Sequence, residues 1–226
     1  MKNKNIFGGG NYNLSALIIS VFSLLVFLKT IEGVVNKELI TKIDIIINSR
    51  VSLFWNSLLT KLMIIITNIG STLSLLILSV VLFCFFIYKK KNQESLLLLF
   101  SMLGGLFLKT IIKIIIARPR PINMLVGAHG NSFPSGHATM STIFFSLLIY
   151  LFKDKIKNKI TRIVFILSNI TIFLLIGISR IYLSVHWFSD VIAGFSLGLF
   201  WITFSVLIFE FIDNRLKKNT KKEISD

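Results

Sequence analysis

Three short clusters carry the side chains in this chain that could act on a phosphoryl group. Lys113 is followed after six residues by Arg120-Pro121, then comes Pro134-Ser135-Gly136-His137, and Ser179-Arg180 is followed after five residues by His186 and after three more by Asp190. Attack on a phosphate ester asks a protein mainly for positioning and for neutralisation of charge. Lys113, Arg120 and Arg180 supply three cations, and the planar fork of arginine suits two oxygens of one phosphate. Ser135 and Gly136 stand where a helix is expected to begin. The free amides and positive dipole end there, with no Cβ on the glycine, make an oxyanion cradle. His186 and Asp190 are four residues apart and share one face of a helix. The carboxylate can hold one ring nitrogen and leave the other free as a nucleophile. His137 is then the second imidazole, placed to protonate a leaving oxygen and to deprotonate an attacking water.

The order K-x6-R-P, P-S-G-H, S-R-x5-H-x3-D resembles the signature of the type 2 phosphatidic acid phosphatase superfamily, over residues 113–190 and with no departure at a motif position. The resemblance implies that His186 forms a phosphohistidine, that Asp190 orients it, and that His137 is the general acid and base. It also implies that Lys113, Arg120, Ser135, Gly136 and Arg180 hold the phosphate, and that neither a metal nor another cofactor takes part.

The elements that must position these clusters follow from the apolar blocks. The chain has 226 residues, 54% of them hydrophobic, and the blocks are long enough for bilayer-spanning helices of about 20 residues. Spans are expected at 14–31, 62–88, 95–116, 135–152, 161–179 and 188–212. The first is read as a retained helix rather than a cleaved leader. The turns of the second before Gly70 are expected to project from the bilayer. Segment 36–57 has Ile40, Ile43, Ile47, Val51 and Phe54 at helical spacing, but Lys37, Glu38, Lys42, Asp44 and Arg50 make it too charged to span. It reads as an amphipathic helix lying in the interface, with Trp55 near the boundary. Arg118-Pro119-Arg120-Pro121 stops the third span, because proline lacks the donor that helix continuation needs. The expected architecture is an all-α polytopic membrane bundle of six transmembrane helices plus one interfacial helix. It forms a single domain over 1–226, with a motif core at 109–190 and a basic tail at 213–226.

Twenty-five Lys and Arg against ten Asp and Glu give a net charge of +15. The basic residues cluster between spans rather than on one face, so a nucleic-acid partner is excluded. Lys2 and Lys4, Lys89 to Lys91, the run Lys153 to Arg162, and the tail with Arg215, Lys217, Lys218, Lys221 and Lys222 fall on one side of a six-span chain. Both termini are therefore expected in the cytoplasm, and loops 117–134 and 180–187 outside it, in the plasma membrane. Arg118, Arg120 and Arg180 break that pattern, and anion binding gives a reason for them. Arg118 lies outside the motif, and contact with a lipid headgroup or a second phosphate is its minority reading. Lys109, one turn deeper than Lys113, lies outside the motif, and His129 reads as a solvated loop residue. Met124, Leu125 and Val126 suit either shielding of an acyl chain or ordinary interfacial packing. Cys84, the single cysteine, reads as a packing residue, and Gly194-x-x-x-Gly198 as close helix packing within the chain.

The activity implied is hydrolysis of a lipid phosphate or diphosphate at the outer face. Undecaprenyl diphosphate is slightly favoured over phosphatidylglycerophosphate, because its product is released on that side. Protein partners are not specified. A phosphotransferase passing the phosphoryl group to a lipid or sugar hydroxyl is a second reading, and a silent lipid carrier a third. The membrane spans disfavour a haloperoxidase.

Overall fold

Apolar runs broken by basic pairs, prolines and capping residues fold as eight α-helices among the described residues. These are α1 (Leu14–Val35), α2 (Leu39–Val51), α3 (Ser57–Ile69), α4 (Thr72–Tyr88), α5 (Asn92–Ile116), α6 (Gly136–Phe152), α7 (Lys159–Tyr182) and α8 (Phe188–Ser225). The computed structural model describes residues 14–225, with side chains to residue 218. Lys2, Lys4 and the side chains of Lys221 and Lys222, used above for orientation, lie outside the described residues.

Helix boundaries have local causes. Asn56, Ser71 and Asn158 each accept a hydrogen bond from the backbone amide three residues on, at the starts of α3, α4 and α7, which satisfies a donor the helix cannot. α5 ends in Ala117, held at a left-handed φ of 46°, just before the Arg-Pro pairs.

The expected second span is two helices, α3 and α4, bent by 42° between Ile69 and Thr72. Ser71 starts the new helix by capping it. Gly70 lets α7 approach, since a Cβ there would collide with Ile176 Cγ2. Four helices, α1, α5, α7 and α8, are long and apolar enough to cross a membrane, and the bent pair makes a fifth when counted as one span. α6, expected as the fourth of six, has 17 residues, short of the roughly 20 that a perpendicular crossing needs.

α6 is the centre of the bundle. Ile143 and Leu147 have no exposed surface, and α5, α7 and α8 pack around them. Gly194 and Gly198 bring α8 against α6: a Cβ at either would stand 2.8 Å from a carbonyl oxygen, of Ser135 or Thr139 respectively. The G-x-x-x-G pair thus packs within the chain. On its other side α8 receives α1, through a cluster that includes Phe27, Val34, Phe133 and Leu197. Cys84 is exposed rather than packed, because α4 lies on the rim and buries only Leu75 and Phe86.

The ends of the bundle differ. At one end Gln93 Nε2 donates to Asp213 Oδ1 at 3.2 Å, joining the first turn of α5 to the later part of α8. At the other end Tyr182, Leu183 and Val185 pack with Val51, Trp55, Leu59, Leu125 and Val126. Trp55 Nε1 donates to the Tyr182 carbonyl at 2.9 Å. Leu125 and Val126 are therefore packing residues that brace the α7–α8 turn.

Candidate active site

The three motif clusters meet at this braced end. Lys113 lies in the last turn of α5, Gly136 and His137 begin α6, Arg180 lies in the last turn of α7, and His186 lies two residues before α8. Five loop or helix-end positions from four sequence-distant segments thus share one wall. A cavity of about 340 Å³ is lined by Lys113, Arg120, Gly136, His137, Arg180 and His186.

Each cation is held in place. Lys113 Nζ donates to the Asn131 carbonyl at 2.7 Å, while Asn131 Nδ2 donates to the Lys113 carbonyl at 2.9 Å. Asn131 so caps the end of α5 and fixes the ammonium with one residue. Arg120 donates from Nε to Gly130 O at 2.9 Å and from Nη1 to Val185 O at 2.6 Å. Its Nη2 donates to His129 O at 3.2 Å and to Asn131 O at 3.3 Å. The last N–H of Nη1 points to His186 Nε2 at 3.3 Å. Arg180 donates from Nη1 to Thr67 Oγ1 at 2.8 Å, and its buried Nε has no hydrogen-bond partner among the described residues.

His186 is buried. Burial pushes its imidazole down to about 4, against a smaller upward pull from Asp190, because a charged ring cannot be hydrated there. Its Nδ1 lies 3.4 Å from Asp190 Oδ2, and the same oxygen accepts the Trp187 amide at 3.0 Å. The carboxylate therefore holds both the ring and the first turn of α8. With Nδ1–H facing the acid, Nε2 keeps its lone pair toward the cavity and toward Arg120.

Ser135 departs from the simple cradle. Its amide donates to the Asp190 carbonyl at 2.9 Å, and its hydroxyl is buried with no partner among the described residues. The cavity wall is made by Gly136 instead. Lys109, outside the motif, also lines the cavity, and a Cβ on Gly136 would meet its Nζ at 3.2 Å. His129 is exposed and contributes its carbonyl alone among the contacts of Arg120.

Arg118 is held by groups within the protein. Nη1 donates to Asp190 Oδ1 and Ser189 Oγ, and Nη2 to Asp44 Oδ2, each at 2.7 Å. Two carboxylates and Ser189 thus engage both of its Nη nitrogens within the protein. Among the described residues, no three His, Cys, Asp or Glu side chains group as metal ligands.

The sequence reading missed Asn131, Thr67 and Asp44. Polar loop residues such as Asn131 carry no spacing signal. Asp44 did carry one: it falls between Ile40 and Ile47 on the apolar stripe of α2, where a charge has no place unless it is paired.

Below the cations the cavity continues between α4 and α5, along Leu75, Leu76, Met102, Leu103 and Leu106. A polar head with an apolar slot beneath it is the shape of an amphiphile.

Comparison with known proteins agrees with this shape. The profile of a family described as the PAP2 superfamily matches residues 94–213. Phosphatidylglycerophosphatase B of Bacillus subtilis (strain 168) is 31% identical over 180 residues, covering 78% of this chain and 88% of the relative. Undecaprenyl-diphosphatase of Sulfolobus acidocaldarius is 32% identical over 126 residues, covering 52% of this chain and 56% of the relative. The crystal structure of a transmembrane PAP2 type phosphatidylglycerolphosphate phosphatase from Bacillus subtilis superposes with a TM-score of 0.77 at 27% identity. The match covers 87% of this chain and 96% of that one.

Proposed function

The chain belongs to the PAP2 superfamily, a multi-pass membrane phosphatase, and from that premise we propose that it hydrolyses a lipid phosphate through a phosphohistidine on His186. The observation that carries the reading is the single cavity in which Lys113, Arg120 and Arg180 surround His186 and His137 above an apolar slot.

In the proposed cycle the phosphoryl group enters between the cations. One Nη1 donor of Arg120 passes from His186 Nε2 to a phosphate oxygen. Nε2, freed and aimed at phosphorus by the Nδ1–Asp190 contact, attacks in line, and the P–O bond to the lipid breaks. His137 gives its proton to the leaving oxygen. Water then attacks the phosphohistidine, His137 takes a proton from it, and the N–P bond breaks to release inorganic phosphate and neutral His186. Lys113, Arg180 and Gly136 complete the phosphate site, and Ser135 steadies the start of α6 beside it through its amide to the Asp190 carbonyl. Preorganised donors of this kind supply most of the catalysis in such reactions.

Sidedness rests on charge. Lys89 to Lys91 and Lys153 to Arg162 lie at the end away from the cavity, which suits a cytoplasmic position. The proposal has both termini there, six crossings with α6 enclosed by its neighbours, α2 in the interface, and the cavity open to the outer leaflet of the plasma membrane. All of it forms one domain. As substrate, phosphatidylglycerophosphate takes precedence over undecaprenyl diphosphate, reversing the preference drawn from sidedness. The relative named for the former aligns along most of both chains, and the relative named for the latter along about half.

The test is phosphate release by the purified protein in EDTA, with phosphatidylglycerophosphate, undecaprenyl diphosphate and phosphatidic acid ranked by kcat/KM. Release without an added acceptor separates hydrolysis from phosphotransfer. No release from any of the three refutes the reading.

A further inference from the structure

We infer that Asp44, on the helix between the first two spans, is a positioning residue of the proposed reaction, acting on His186 through Arg118 and Asp190; the inference rests on the proposed role of His186. Asp44 lies outside the motif and outside the family-matched residues 94–213. Its neighbours on α2, Ile45 and Ile46, are exposed, while Asp44 is 1% exposed. α2 therefore turns its carboxylate into the protein, on the same face as Ile40 and Val51, which pack against core clusters.

Burying a carboxylate costs several kcal/mol unless its lone pairs are satisfied, and a buried ion pair returns little net stability. Here the acceptors are filled. Oδ2 accepts from Arg118 Nη2 at 2.7 Å and from Ser189 Oγ at 2.6 Å. Oδ1 accepts the Ser189 amide at 2.8 Å. That amide is one of the first donors of α8, which have no partner inside the helix. Asp44 thus caps the turn on which Asp190 is carried, and it holds Arg118 in place as well.

The consequence is a chain of alternating charge, Asp44–Arg118–Asp190, ending on the neutral ring of His186, with every member buried or nearly so. Arg118 shares its two nitrogens between the carboxylates. With Asp44 neutral, the guanidinium has one carboxylate left and draws Asp190 toward itself, away from a ring contact that is already 3.4 Å long. The lone pair of His186 Nε2 would then no longer be aimed at phosphorus. Asp44 touches no cavity-lining atom of the site, so substrate binding should be spared.

The experiment compares D44N, D190N, D44N/D190N and H186A on phosphatidylglycerophosphate, with rates normalised to folded protein by thermal unfolding. D44N is expected to lower kcat about 10- to 100-fold, the scale of a small misplacement of a reacting group, with KM within about threefold. Because Asp44 acts through Asp190, the double variant should match D190N within about threefold. A D44N enzyme with wild-type kcat overturns the inference, and so do losses that multiply in the double variant, as a purely structural role would give. If D44N does not fold, S189A carries the test, since it removes one bridge of the network without changing charge: a several-fold fall in kcat supports the inference and none refutes it. Turnover by H186A would instead overturn the phosphohistidine reading itself, while an inert H186A beside a wild-type-like D44N sinks only the role of Asp44.

Discussion

Arg120→Lys separates charge from geometry at the centre of the proposed site. Lysine keeps the positive charge, but it replaces five donors in a fixed fork with three on a mobile stem. In the structure all five N–H groups of Arg120 are engaged: four on the carbonyls of Gly130, Val185, His129 and Asn131, and the fifth toward His186 Nε2. That fifth donor alone is free to change partner when a phosphate arrives, and the other four fix where it points. Lysine cannot hold three loop carbonyls and Val185 O while also reaching the phosphate.

Losing one preorganised donor to a transition-state oxyanion costs about 3–4 kcal/mol, or 10²–10³ in kcat. The carbonyls of His129 and Gly130 belong to exposed residues, so water replaces the lost donors there. Val185 is fully buried, and its orphaned carbonyl costs about 1–3 kcal/mol. Arg120→Lys should therefore lower kcat/KM by 10²–10³ while lowering the unfolding free energy by only that smaller amount. Steady-state kinetics on phosphatidylglycerophosphate and thermal unfolding in the same detergent give the two numbers. Loss of stability with kcat/KM within about threefold of wild type would make Arg120 a loop brace and refute its place at the phosphate.

His186→Ala should abolish phosphate release with unfolding little changed, and near-normal turnover would refute the nucleophile assignment. Burial holds the His186 ring at about 4, below its unfolded value of about 6.5, so the free enzyme carries it neutral at pH 5 and above. The sign follows: between these values the unfolded chain binds the extra proton, so this residue makes folding less favourable as pH falls from about 6.5 toward 4. Imidazole NMR of ring-labelled protein checks this, and a His186 titration near 6.5 would contradict it. Thr67→Val leaves Arg180 Nη1 without its acceptor and should lower kcat/KM about tenfold, as a released cation loses its aim; an unchanged value would show that Arg180 is placed by other contacts. Gly198→Ala puts a Cβ 2.8 Å from Thr139 O and should cost about 1–3 kcal/mol of stability by prising α8 from α6, read by thermal unfolding.

Much of the site was legible because phosphoryl chemistry fixes both residue type and spacing. Lys113, Arg120, Gly136, His137, Arg180 and His186 were all named from the chain and all line one cavity. What the sequence concealed was the support. Asn131 holds Lys113 from a loop with no periodicity, and Thr67 holds Arg180 from a helix more than 100 residues away. Such contacts depend on how helices cross, which local pattern does not record. The break at Gly70 was half-legible: a glycine followed by a serine N-cap marks a new helix start, yet unbroken apolarity on both sides read as one span. Asp44 shows the reverse failure. It was counted as a charge that kept α2 from spanning, when its position within an apolar stripe marked it as inward-facing.

Arg118 and Arg120 are two residues apart and do opposite work, and the Arg-Pro-Arg-Pro run explains how. A residue before proline is pushed out of the helical region into extended backbone, so the two arginines are separated by about 6–7 Å of extended chain. That span matches the dyad beside it. Arg118 meets Asp190 at its outer oxygen, and Arg120 meets His186 at its outer nitrogen. The prolines thus make a ruler that grips the carboxylate–imidazole pair at both ends. Pro119 is also fixed to the same turn, because its carbonyl accepts from Trp187 Nε1 at 2.9 Å and from Ser132 Oγ at 3.0 Å. Replacing Pro119 by alanine would return that segment's freedom to the unfolded chain and loosen the ruler without touching a charge. In the proposed site, the arginine assigned to the phosphate and the arginine that holds Asp190 are kept at one fixed separation, so the orientation of His186 and the position of a bound phosphate would be set together.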